Sequence, residues 1–342
     1  MSEEPLPIGR NFSAADLEQG FQKLEISVPD QPFLAHRYLA PKDCPLDRDL
    51  LAQPIVLSTS TPAAVSVCRN EGEAVYLQVQ AVTPPREIAA AHWLQAWAGA
   101  TGRTIHLINA ISPLFADSLV TFEIEGHAFM GRAAVRGHGD VLFLLFAFCP
   151  AGEYPKWADK LGLFISSFRP TGPMQHPAIE PRQKCACGPV KFELPASWRV
   201  KPSTDRDGGA RLDALNLDDE ESLNGWLQAR YFPKAEATTR IDVIEATQAT
   251  WREAGFQVGE LLEGADQEAP KELAKSAHLK VYSLKPPNPN SPEHEGWVLV
   301  LALEKGHLAV ALLTPSQHAA ELFYVWAFNR RAFGIATEAI SC

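Results

Sequence analysis

The sequence predicts an α+β fold of two tandem domains, each an antiparallel sheet with helices packed on one face. Three observations support this. The chain has 342 residues, a length typical of two domains. Consecutive apolar runs are joined by short turns, and hairpins build antiparallel sheets because parallel strands need long crossovers. A strand followed by an amphipathic helix occurs at 148–168, and a similar unit closes the chain.

The domains follow in order from the N-terminus. Residues 1–20 are predicted to form an N-terminal arm, with a short helix that the Ser13 hydroxyl caps. The first domain is expected at 21–172, a Pro-rich linker at 173–188 and the second domain at 189–342. Within the first domain, residues 31–63 carry five prolines and are predicted to be irregular.

The first regular block contains a hairpin, a helix, three strands and a second helix. Two alternating runs at 63–82 flank an Asn-Glu-Gly-Glu turn. The stretch 84–102 begins with prolines and ends with glycines, which is typical of a helix. Three strands follow, with turns near 125–127 and 137–140. The segment 154–168 then places apolar residues along one helical stripe.

The second block repeats this order of strands, helix, strands, hairpin and helix. A shift of 165 residues without a gap aligns Pro150 with Pro315, Leu161 with Trp326 and Phe168 with Phe333. A repeat this long indicates duplicated domains and not a solenoid.

At these residues the chain resembles the PsbP-like/DcrB-like fold. The resemblance lies in "FELPASWRV" at 192–200 and in the hairpin and amphipathic helix at 139–168 and near the C-terminus. It covers roughly 64–170 and 190–335. It implies a binding module without catalytic activity, since members include photosystem subunits, a Ran-binding transport factor and Eag-type adaptor chaperones of secreted effectors.

Charge and composition narrow the class of partner. The net charge is −10, and an acidic chain lacks the basic surface that nucleic acid binding requires. The N-terminus has acidic residues where a signal peptide would have basic ones, and no apolar run reaches the length of a membrane span. We therefore expect a cytoplasmic protein with a protein partner and no cofactor; the oligomeric state is left open.

Two groups of residues are candidates for a site. Arg132 and Arg136 lie four apart on a strand and so share one face, with Glu123 on the neighbouring strand and His127 at the turn. They form either a polar recognition face or cross-strand pairs with Glu123 and Glu125. Cys185 and Cys187 could bind a soft metal, but C-x-C spacing without a second pair is not typical of zinc, so two free linker thiols are expected.

The function predicted from these features is that of a non-catalytic interaction protein, such as an adaptor or chaperone for an apolar segment of a partner. The chain has no P-loop, no G-x-G-x-x-G and no G-x-S-x-G motif. The alternative is a small-molecule-binding protein or an enzyme with a site between the two halves.

Overall fold

The computed structural model describes residues 12–204, 209–218, 222–233, 239–267, 276–319 and 322–341. Residues 1–11, which make up just over half of the predicted arm, lie outside this range. The chain forms two compact units, Met1–Ile179 and Glu180–Cys342. Both are α+β, with antiparallel sheets throughout.

The first unit begins with a short capped helix and ends with the predicted amphipathic helix. Ser13 caps the first helix through a capping box with Asp16, as the sequence indicates. The elements in chain order are α1 (Ala14–Gly20), β1 (Phe21–Ile26), β2 (His36–Pro41), α2 (Arg48–Leu51), β3 (Ala63–Asn70), β4 (Val75–Val82), α3 (Ala90–Ala100), β5 (Thr104–Ser112), β6 (Phe115–Ile124), β7 (His127–His138), β8 (Val141–Pro150), α4 (Tyr154–Ser167) and β9 (Arg169–Pro170).

The main sheet of this unit has six antiparallel strands in the order β3-β4-β8-β7-β6-β5. The β6–β7 turn has a left-handed backbone at both Glu125 and Gly126. Two such residues match the twist of a tight hairpin and fix the register of the strands. Strand β5 is last in this order. Among the described residues it therefore forms one outer edge of the sheet.

The helices of the first unit lie on opposite faces of the sheet, which corrects the expectation of helices on one face. On β8, Phe143 contacts Phe168 at the end of α4, with ring centroids 5.3 Å apart. Phe146 contacts Trp97 of α3 at 5.3 Å. Positions 143 and 146 have opposite parity on a regular strand, so their side chains point to opposite faces.

A second, three-stranded sheet covers the α4 face. Its order is β1-β2-β9, and Tyr38 of β2 meets Phe164 of α4 edge to face at 5.1 Å. The segment 31–63 was predicted to be irregular, but part of it forms β2 and the short helix α2. The three-stranded sheet and α4 together cover the α4 face of the six-stranded sheet, which the helix alone would leave partly open.

The second unit also has a main sheet and a smaller one, but its main sheet has seven strands and its smaller sheet two. Its elements are β10 (Arg182–Cys187), β11 (Val190–Pro195), β12 (Arg199–Thr204), β13 (Ala210–Leu217), β14 (Leu223–Pro233), α5 (Arg240–Glu253), β15 (Gln257–Gln267), β16 (Ser276–Lys285), β17 (His294–Leu303), β18 (Gly306–Pro315) and α6 (Phe323–Glu338). Part of the predicted linker, residues 182–187, is strand β10 paired with β11, so the expectation of a linker there was wrong.

The main sheet of the second unit runs β12-β13-β14-β18-β17-β16-β15. Without β12, this order matches that of the first unit strand for strand. Here too the helices lie on opposite faces, because α5 packs with Val298 while Trp297 contacts Phe333 of α6. In both units the sheet faces are covered, so the sheet edges are the part of the sheet that remains accessible.

Candidate functional site

Arg132 and Asp117 form a buried ion pair on the α4 face of the first sheet. Arg132 Nη2 of β7 donates to Asp117 Oδ2 of β6, and the two residues are 5% and 1% exposed. Arg132 lies opposite Leu119, so Asp117 is its diagonal neighbour across the two strands. The predicted pairing with Glu123 or Glu125 was therefore wrong: Glu123 lies opposite Ala128, near the turn.

Arg136 holds the end of α4 against the sheet. Its Nη1 donates to the carbonyl oxygen of Phe168 at 2.7 Å, and its guanidinium lies 4.7 Å from the centre of the Phe115 ring. A cation is favourable at the carbonyl end of a helix. Burial, and then the charge of Arg169, hold the pKa of Arg136 below its usual value. Arg136 is thus engaged in a packing contact.

The structure does not bring the predicted recognition residues together. Glu123 and His127 are exposed near the β6–β7 turn, whereas Arg132 is buried further along the sheet. A polar recognition face made of these residues stays a prediction.

Cys185 and Cys187 are buried on one side of β10. The Sγ atom of Cys187 lies 3.2 Å from Ala210 O and 3.4 Å from Ala229 O. Burial raises the pKa of the Cys185 thiol, which keeps it protonated and weakens it as a nucleophile or metal ligand. Within the described residues, no three His, Cys, Asp or Glu side chains are grouped closely enough to hold a metal ion.

His36 and Ser66 have the geometry of a base and a nucleophile, but they lie inside the core. His36 Nδ1 donates to Leu34 O at 2.7 Å, which leaves Nε2 to accept from the Ser66 hydroxyl at 3.0 Å. Both residues are 0% exposed. Burial lowers the pKa of His36 to about 4, far from the value that suits a general base at neutral pH. Because neither side chain is accessible to a substrate, the hydrogen bond between His36 and Ser66 stabilises the core.

Glu295 is a buried carboxylate at the centre of a hydrogen-bond network in the second unit. The sequence analysis did not predict this network. Its Oε2 accepts from the indole nitrogens of Trp297 (3.0 Å) and Trp326 (2.9 Å), and its Oε1 accepts from Ser316 Oγ (3.1 Å) and the Gln317 amide (3.0 Å). A glutamate two residues before the apolar run "WVLVLAL" was the available signal. With four donors satisfied, the carboxylate fixes α6 on the sheet.

The surface of the described residues includes open cavities at two places that bear on the choice of site. One of about 580 Å³ is lined by charged side chains that already engage one another, such as Asp47, which caps α2 and pairs with Arg69 at 3.5 Å. The other, of about 370 Å³, lies at the start of α5. There the Asp242 carboxylate already forms a capping box with Thr239, which disfavours a second anion.

The outer edges of the two sheets each carry exposed apolar side chains. On β15, Leu261 and Leu262 are 52% and 55% exposed, and the pairing with β16 is irregular around them. An irregular register lets two consecutive side chains face solvent. On β5, Leu107 is 52% exposed. Outer strands present unpaired backbone groups to which another strand can bond.

The charge of β15 differs from that of β5. Strand β15 carries Glu260, Glu263 and Asp266 and no lysine or arginine, while β5 carries no charged residue. The side chains of Glu260 and Glu263 are exposed. The β15 edge, defined as Gln257–Gly264, is therefore both apolar and acidic, and it is the candidate interaction site.

Comparisons with known proteins do not identify a family. No protein-family model and no curated protein matches the chain. Among solved structures it is aligned with DynU16, "a putative protein in the dynemicin biosynthetic locus", at 10% identity, and with "the di-domain ARO/CYC StfQ from the steffimycin biosynthetic pathway", at 8%. Each alignment covers 93% of this chain and 98% of the other, with a TM-score of 0.17, which is too low to establish a shared fold.

Proposed function

We propose that this is a non-catalytic interaction protein that binds an extended segment of a partner protein along the β15 edge. The observation that carries the proposal is the exposure of Leu261 and Leu262 on an outer strand of a sheet whose two faces are already packed. Addition of a strand provides main-chain hydrogen bonds for affinity, and exposed side chains provide selectivity.

The acidic residues of the β15 edge select the chemistry of the partner segment. Glu260 and Glu263 flank the two leucines, so a segment that alternates apolar and basic residues would match both features. A second copy of β15 would instead place carboxylates against carboxylates, which disfavours self-pairing. The occupant is thus a heterologous, apolar and basic strand.

The alternative of an enzyme has little support among the described residues, because three buried ionisable side chains are engaged in contacts that hold the fold. Arg132, His36 and Glu295 are each held in a buried hydrogen-bonded contact.

None of the described helices has both the length and the apolar character needed to cross a membrane. The adaptor or chaperone role implied by the resemblance to the PsbP-like/DcrB-like fold is one form of the proposed function. A small-molecule site between the halves stays a prediction.

Three synthetic peptides test the proposal by fluorescence anisotropy: an alternating Lys/Val peptide, the same peptide with central prolines, and an alternating Glu/Val peptide. We expect only the first to bind, because proline removes main-chain donors and glutamate repels the edge. Leu261→Lys should abolish this binding. Val56→Lys, at a residue 79% exposed in the first unit, should leave it unchanged.

Two results would overturn the proposal. Equal binding of the proline peptide would show simple charge attraction without strand addition. Binding that survives Leu261→Lys would place the contact elsewhere. Circular dichroism of each variant checks that the fold is retained.

A further inference from the structure

The β5 edge of the first unit is exposed and uncharged. Leu107 is 52% exposed, and Thr104, His106 and Ser112 also face solvent. Four of the nine residues of β5 are β-branched, which favours extended backbone. The strand contains no proline or lysine, the residues that commonly protect an outer strand from pairing.

The lack of charge extends well beyond β5. Residues 88–116 contain one Asp, Glu, Lys or Arg, namely Arg103, although 21% of the chain is charged. The Arg103 guanidinium is turned inward, within 4.7–5.1 Å of the ring centres of Trp97, Phe122 and Phe146. Burial lowers its pKa, in keeping with this position. Much of this stretch is the largely buried helix α3, so the depletion of charge that bears on an interface is that of the exposed strand β5.

We propose that two copies of this chain associate through antiparallel pairing of β5 with β5. A two-fold axis brings the same surface of both copies together, so a self-pairing surface must not repel itself. The neutral β5 meets this condition. Strand β15 does not, because Glu260 and Glu263 of one copy would approach those of the other.

The pairing of β5 with β6 limits how much of the strand is suited to this contact. The register is regular from Leu107 to Ala110 and shifts on either side. A regular register keeps the outward backbone groups of the edge aligned as an antiparallel partner requires. The contact is therefore centred on these four residues, and a small contact gives a weak, concentration-dependent dimer.

Sedimentation velocity across a dilution series of the full chain tests this association. We expect the sedimentation coefficient to rise with concentration, from that of the 37.5 kDa monomer towards that of a dimer. Leu107→Lys should hold the protein in the monomeric form, because it puts a charged side chain of each copy into the four-residue contact. Leu261→Lys should leave the dimer intact, which separates this proposal from the proposed function at β15.

Hydrogen exchange gives a second readout that does not depend on a variant. The central amides of β5 should exchange more slowly at high protein concentration, while those of β15 should not change. A monomer at every concentration overturns the proposal, as does a dimer that persists in Leu107→Lys. Binding of the Lys/Val peptide should be unchanged in Leu107→Lys, so either proposal can fail alone.

Discussion

The indole nitrogen of Trp326 on α6 donates a hydrogen bond to Glu295 Oε2 on β17 at 2.9 Å. Trp297, Ser316 and the backbone of Gln317 donate to the same carboxylate. The guanidinium of Arg330 lies 3.4 Å from the centre of the Trp297 ring, and burial lowers its pKa to about 10. The terminal helix of the second unit is thus attached to its sheet through one buried anion.

Replacing Glu295 by alanine should therefore destabilise the second unit strongly. The change leaves the indole donors unsatisfied and removes the first of the two carboxylates, Glu295 and Glu263, that favour the charged form of Arg330. We expect a loss of about 3–5 kcal/mol, the range for breaking a buried charged contact. Hydrogen exchange of the β17 amides measures it. Glu293→Ala, an exposed neighbour, should change stability by less than about 0.5 kcal/mol.

The strands and helices that close each unit could be predicted from the sequence because one apolar pattern repeats there. The predicted turns near 125–127 and 137–140 are found between β6 and β7 and between β7 and β8. The helices were predicted on one face of each sheet, which was wrong, although a signal for two covered faces existed. Residues 141–149 of β8 are all buried, and a strand without polar alternation indicates a sheet covered on both faces.

The ion-pair partner of Arg132 was predicted wrongly because the pairing register of β6 and β7 was not taken into account. Residues that face each other across the β6–β7 turn are related by equal distance from Glu125–Gly126, which places Arg132 opposite Leu119. Counting from the turn would have excluded Glu123. It would not have identified Asp117, because burial of that carboxylate depends on tertiary packing around it.

Arg132→Met should destabilise the first unit by leaving the Asp117 carboxylate buried beside an apolar side chain. We expect a loss of about 3–5 kcal/mol, measured by hydrogen exchange of the β7 amides. The double variant Arg132→Met/Asp117→Leu should recover part of this loss, because both charges are then absent. If the double variant is no more stable than the single one, the ion pair does not explain the burial. Arg37→Ala, at an exposed site, is the control.

Gly225→Ala should disturb the amide network that joins β14 to α6. A methyl group at position 225 would overlap the side-chain amide of Asn329. That amide donates to Asn224 O and Thr314 Oγ1 and accepts from Asn216 Nδ2, at 2.8–2.9 Å. We expect a loss of about 1–3 kcal/mol from overpacking, measured by exchange of the β14 amides. Gly20→Ala has nothing within 4 Å of the new methyl group and should be nearly neutral.

His36 should make the first unit sensitive to acid. Burial lowers its pKa to about 4 in the folded protein, whereas the unfolded chain retains a value near 6.5. Below pH 6.5 the unfolded state therefore binds a proton that the folded state excludes. The stability associated with neutral His36 is fully present above pH 6.5 and is lost progressively as the pH falls towards 4. The loss reaches about 3 kcal/mol.

Because the acid sensitivity depends on the imidazole, His36→Gln should reduce it. The glutamine can retain a hydrogen bond to Leu34 O or Ser66 Oγ but does not titrate. Exchange of β2 and β3 amides between pH 7 and pH 4, corrected for the intrinsic exchange rate, should show a shallower decline of stability in this variant. His106→Gln, on the exposed side of β5, should keep the wild-type decline. An unchanged decline in His36→Gln would assign the acid sensitivity to other groups, such as Glu73, whose pKa is lowered by hydrogen bonds from Lys156 and Trp157.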